Sequence, residues 1–120
     1  VSGRKRKPKE LFSLVFERDG RKCMYCPKDF MQDFDTFWTA QIDRLVPSGD
    51  YVPENVVLAC FVCNNLRGRK VPLIPLLPDN RDAYIEAIRQ LIDVRREEKR
   101  KTDFASWHPT SPTPTKLPAP

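Results

Sequence analysis

The sequence is short of histidine, with His108 alone, and of glycine, with four residues among 120. Nowhere does it approach 18 consecutive apolar residues. That excludes a membrane-spanning helix. No charged start leads into an apolar run, so no secretory signal is read, and an intracellular location is expected, cytoplasmic or with DNA, not secreted. The chain opens on Val1 in place of Met and is expected to be a fragment or a processed product. At 14.0 kDa it has room for one domain, whose core is thin enough to need a staple.

Excess charge is also missing once the first nine residues are set aside. Of 21 basic residues, five are Arg4, Lys5, Arg6, Lys7 and Lys9; without them 16 basic residues face 16 acidic ones. The net charge of +5 therefore reports an N-terminal arm and not a basic fold. Such an arm suits phosphate contact, a localisation signal or plain solvation.

Residues 1–9 lack apolar periodicity and are expected to be flexible. From Pro8 the spacing of Leu11, Phe12, Leu14, Val15 and Phe16 predicts a helix ending near Gly20. Phe30 to Trp38 is aromatic and acidic without a clean period and reads as a loop or irregular hairpin. Thr39 to Val46 and Tyr51 to Leu58 read as two short strands around the turn cluster Pro47, Ser48, Gly49 and Asp50. Cys60 to Gly68 predicts a short helix, and Pro72, Pro75 and Pro78 an extended connector. A long helix capped by Asn80 follows through about Lys101, with Tyr84, Ile85, Ile88, Leu91 and Ile92 on one face. Five prolines in residues 109–120 leave too few apolar groups to fold. The expected organisation is an arm over 1–9, a domain over 10–101 and a proline-rich disordered tail over 102–120.

What is there is a set of four cysteines in two Cys-x-x-Cys pairs, Cys23 with Cys26 and Cys60 with Cys63. Two intervening residues let both sulfurs of a knuckle point at one ion, and two knuckles complete a tetrahedral four-thiolate zinc site. Disulfides and redox dithiols are the alternatives. The first suits a secreted chain, and the second needs one pair in an oxidoreductase setting. Zinc is the favoured reading. With four protein ligands such an ion is structural, and it supplies on the order of 10 kcal/mol of folding free energy in small modules.

The 33 residues between Cys26 and Cys60 run strand, turn, strand, knuckle. Gln41-Ile42-Asp43-Arg44-Leu45-Val46-Pro47 is followed by Gly49-Asp50-Tyr51, then Glu54-Asn55-Val56-Val57-Leu58-Ala59-Cys60, and Asn64 stands directly after Cys63. From about Val15 to Lys70 this order resembles the HNH endonuclease superfamily in its zinc-stabilised form. The resemblance implies a small α+β domain, a ββα-metal core of HNH or treble-clef type with flanking N- and C-terminal helices. It implies metal-dependent hydrolysis of DNA phosphodiester bonds, with DNA as partner and no membrane. Asp43 and Asn64 would hold a catalytic Mg2+ or Mn2+, and Asn55 would secure the loop between the strands. Arg44, beside Asp43, is a further candidate catalytic residue, and the basic residues Arg4, Lys5, Arg6, Lys7, Lys9, Arg67, Arg69 and Lys70 are candidate nucleic-acid contacts. The carboxylate and amide leave most of the ion's shell to water and a phosphate oxygen.

One departure is central. Where the family has a general-base histidine after the aspartate, this chain has Arg44, whose guanidinium has no acceptor and stays protonated. His108, at the edge of the proline-rich tail, is not expected to reach the site. Two explanations stay open: a weak or atypical nuclease in which Arg44 binds phosphate, or a catalytically inactive zinc fold kept as a nucleic-acid- or protein-binding module.

Overall fold

The computed structural model describes residues 8–107. Arg4, Lys5, Arg6 and Lys7, together with His108 and the stretch 109–120, lie outside the described residues.

Helix α1 runs Pro8–Arg18, with Glu10 in its first turn. Gly20 (φ +75°) and Arg21 (φ +60°) turn the chain out of it, and Arg21 N–H closes the end onto the Phe16 carbonyl at 2.9 Å. Val15 is its fully buried residue, with Leu11, Phe12 and Phe16 packed against the same core. A second helix, α2, occupies Phe34–Trp38, where a loop is expected from sequence. Its start is set by Asp33, whose carboxylate accepts the Thr36 N–H at 2.7 Å. Phe37 packs edge-on against Phe16, while Phe34 and Trp38 stack on each other at the surface.

Strands β1 (Ala40–Arg44) and β2 (Val56–Cys60) pair antiparallel, with Ala40 opposite Cys60 and Arg44 opposite Val56. β2 begins later than Tyr51 because Pro53–Asn55 forms a 3-10 turn first. All five of its residues are buried. Its outer edge is covered by side chains: Asp19 accepts the Leu58 N–H at 2.8 Å, and Arg18 and Arg81 both donate to the Val56 carbonyl at 2.7 Å. A two-stranded sheet with an open edge would be marginal, and this cover closes it.

Helix α3 (Phe61–Arg67) follows β2 with no intervening residue and ends at Gly68 (φ +61°). Helix α4 (Arg81–Lys99) packs on α3 and buries Tyr84, Ile85, Ile88 and Ile92, with Leu91 half-buried. Asn80 occupies the N-cap position, but its side chain turns back and not into the helix: Oδ1 accepts from Leu77 N–H at 2.7 Å and Nδ2 donates to the Pro75 carbonyl at 2.9 Å. It fastens the connector. The helical path then continues through a π-turn, Arg100–Phe104, into a short α5, Ala105–Trp107. Residues 102–107, which fall within the stretch expected as tail, are helical. No described helix is long and apolar enough to cross a membrane.

Candidate metal centre and the adjoining cleft

The first knuckle leaves α1 through Gly20 and Arg21 and folds as a tight hairpin, with Cys23 N–H donating to the Lys28 carbonyl at 3.0 Å. Met24 N–H reaches the Leu58 carbonyl at 2.9 Å, which ties this knuckle to β2. The second knuckle is the junction of β2 and α3. Cys60 ends the strand, and its Sγ accepts the Cys63 N–H at 3.3 Å as the cap of α3.

These two pieces of backbone bring the sulfurs of Cys23, Cys26, Cys60 and Cys63 within 4.8 Å of one another. Sulfur–sulfur edges of about 3.8 Å follow from a tetrahedral ion with ~2.3 Å zinc–sulfur bonds. Cys26 and Cys60 stand 3.9 Å apart. Cys23 Sγ accepts N–H groups of Tyr25 (3.4 Å) and Cys60 (3.3 Å), as thiolates at a metal do. All four are free thiols, and only Cys26 is partly exposed. Crowding sets their proton affinities against each other. Hydrogen bonds from Cys23 and then Cys63 hold Cys60 below the ordinary thiol range. Cys23 is pushed up to about 11, first by its bond to Cys60, and Cys63 is pushed up first by Cys23 and then by Cys60. A divalent cation at the centre of the four sulfurs would hold all of them as thiolates. The donor set fits zinc.

About the far end of β1 lies a polar cleft of about 160 Å³ lined by Ile42, Asp43, Arg44, Pro47, Tyr51, Asn64, Gly68 and Arg69. It gathers Asp43, Arg44, Asn64 and Arg69 from the residues implied by sequence. Asp43 is buried, and its Oδ2 accepts two bonds, from Tyr25 Oη at 2.6 Å and Arg67 Nη1 at 2.5 Å. Its Oδ1 keeps no hydrogen-bond partner among the described residues. Asn64 donates Nδ2 to Gln41 Oε1 at 2.5 Å, which leaves its amide oxygen as a free acceptor. Arg44 lays its guanidinium 4.5 Å over the Tyr51 ring and donates Nη1 to the Gly49 carbonyl at 3.1 Å.

Asn55 is outside the cleft lining and braces the turn beside it. Its Oδ1 accepts the Val46 N–H (3.0 Å), and Nδ2 donates to the carbonyls of Val46 (3.1 Å) and Asp50 (3.0 Å). Gly49 is required there: a Cβ would lie 2.7 Å from Asn55 Nδ2. Lys9 and Lys70 are exposed, and neither lines the cleft.

Arg67 is a correction. Read as a DNA contact, it is instead buried, with its side chain fully inaccessible. Besides Asp43 it donates to the carbonyls of Arg44 (2.7 Å), Leu45 (2.6 Å) and Lys70 (2.8 Å), so four of its five N–H groups are spent inside the protein and burial keeps the side chain from a phosphate. Its position four residues after Cys63 places it on the inward face of α3, and that offset was the available signal. Tyr25 was missed as well. Lying between two cysteines, it reads as filler, yet it is 2% exposed and joins the first knuckle to Asp43. Burial, followed by the Asp43 charge, raises its phenol well above the usual tyrosine range and keeps it a donor.

No protein-family model, curated protein or solved structure matches the chain. Fold and site together define a small α+β domain with a two-stranded sheet, flanking helices and a four-cysteine cluster compatible with a zinc-stabilised domain.

Proposed function

We propose that this chain is a zinc-stabilised HNH-type domain that binds the DNA backbone in the Arg44–Arg69 cleft and hydrolyses phosphodiester bonds with the help of Mg2+ or Mn2+. One observation carries the reading: a carboxylate and an amide with uncommitted oxygens share a small polar cleft with two guanidinium groups. Asp43 Oδ1 and Asn64 Oδ1 are hard oxygen donors and would hold the divalent ion. Bound there, it supplies Lewis acidity toward the phosphate and the leaving 3′ oxygen. Arg44 and Arg69 neutralise the phosphate, Tyr25 and Arg67 fix the Asp43 carboxylate, and Asn55 holds the turn that carries Arg44's partner Gly49.

A second reading, a DNA-binding module without turnover, is favoured by the Arg67–Asp43 ion pair. The carboxylate is already compensated by a buried cation, and Arg44 offers no proton acceptor. Supercoiled plasmid incubated with the full chain and Mg2+ or Mn2+ separates the two. Slow nicking that needs the ion and is lost in Asn64→Ala supports hydrolysis. DNA retention without nicking in either metal establishes the binding module, and neither retention nor nicking removes both.

A further inference from the structure

Helix α4 carries two arginines seven residues apart, Arg89 and Arg96, each paired with an acid three residues earlier on the same helix, Glu86 and Asp93. Seven residues are close to two helical turns, so both guanidinium groups lie on one face. Each reaches a different knuckle. Arg89 Nη2 donates to the Met24 carbonyl, inside Cys23–Cys26, at 2.5 Å. Arg96 Nη2 donates to Cys63 Sγ at 3.3 Å. The neighbouring pairs Arg100–Glu97 and Lys99–Asp103 bridge only helical surface. Exposed pairs of that kind contribute little.

Arg96 stands where the sulfur needs it. Cys23 and Cys60 accept backbone N–H groups, whereas the N–H···S bond to Cys63 among the described residues comes from Arg96. Four thiolates around a divalent ion leave a net negative centre, and a guanidinium on one sulfur draws off part of that charge without competing for the metal.

We infer that α4 is a clamp on the metal centre, in which Arg89 and Arg96 span the two knuckles and set how slowly the ion leaves. The inference rests on the reading of the cysteine cluster as a zinc site. The two fail separately: absence of bound zinc from the purified wild-type chain removes that reading, whereas the clamp is judged on a wild type that holds zinc.

The test is zinc release from the full chain into an excess of chromophoric chelator. Loss of an outer hydrogen bond to a metal ligand typically costs about 10–100-fold in metal affinity, so Arg96→Met, which keeps length and loses charge, should release zinc faster by up to about that factor. Arg89→Met should accelerate release by a smaller factor, and the double variant by more than either. Cobalt in place of zinc gives a readout that packing alone does not move: the sulfur-to-cobalt charge-transfer band should shift to lower energy in Arg96→Met and stay in place in Arg89→Met. If Arg96→Met does not fold, the cobalt band of Arg96→Lys decides, with a smaller shift in the same direction expected. Wild-type release rates, or a band unmoved by changes at Arg96, overturn the clamp.

Discussion

Tyr25 and Asp43, 18 residues apart in the chain, meet through a 2.6 Å hydrogen bond in the interior. Tyr25 lies between two residues of the four-cysteine cluster, and Asp43 lines the polar cleft. The second knuckle reaches the same oxygen through Arg67 on α3. Both halves of the cysteine cluster thus converge on one carboxylate of the cleft.

Tyr25→Phe removes the hydroxyl and leaves an Asp43 lone pair unmet in a buried setting. Chemical denaturation should show a loss of about 1–3 kcal/mol. An unchanged midpoint would mean that water replaces the phenol without cost.

Arg67→Met leaves the Asp43 carboxylate uncompensated and the Arg44 and Lys70 carbonyls without their donor, while the Leu45 carbonyl keeps the Tyr84 hydroxyl. Breaking a buried pair from one side typically costs about 3–5 kcal/mol. Asp43→Asn added to Arg67→Met should recover part of the loss, because the stranded charge goes with it. A double variant no more stable than Arg67→Met would contradict a charge-based origin.

Elements held by near neighbours in sequence were legible. The knuckles follow from Cys-x-x-Cys spacing, and α3 ends at Gly68 as its left-handed conformation requires. The buried face of α4 follows from its period, although Asn80 was assigned a cap that its side chain does not form. Helix α2 was hidden because its exposed face, Phe34 and Trp38, is as aromatic as the Phe37 that packs inward, which erases the amphipathic contrast. The Asp33–Thr36 capping pair was the signal to use. At the cleft, residue types pointed to Asp43 and Asn64, but the Tyr25 and Arg67 bonds to Asp43 and the Arg96 bond to Cys63 join distant segments and leave no local pattern.

Asn55→Ala deletes three hydrogen bonds to the backbone of the turn at Val46 and Asp50. The melting temperature should fall with a cost of about 1–3 kcal/mol, and amide exchange at Val46 should accelerate. Gly49→Ala should move both readouts the same way, since its Cβ would push on Asn55 Nδ2. Protection at Val46 equal to wild type in both variants would remove Asn55 from this bracing role.

Metal analysis of the purified chain should find one equivalent of zinc at the cluster of Cys23, Cys26, Cys60 and Cys63. Cys60→Ser should unfold the core, because on the zinc reading that residue is a ligand as well as the cap of α3, and strong chelators should do the same to wild type. A metal-free protein with an unchanged melting curve would sink the zinc reading.

The most direct test of the central claim, that this cleft is a metal-dependent phosphodiester site, is the plasmid-nicking rate of Arg44→His against wild type in Mg2+ or Mn2+. Position 44 lines the cleft beside Asp43 and Asn64, so an imidazole there supplies the proton acceptor that the guanidinium lacks. The account predicts a gain of about 10²–10⁴-fold, the usual contribution of a positioned base, and its loss when Asn64→Ala is added. Equal nicking rates, or none from either protein with fold and zinc content intact, would contradict it.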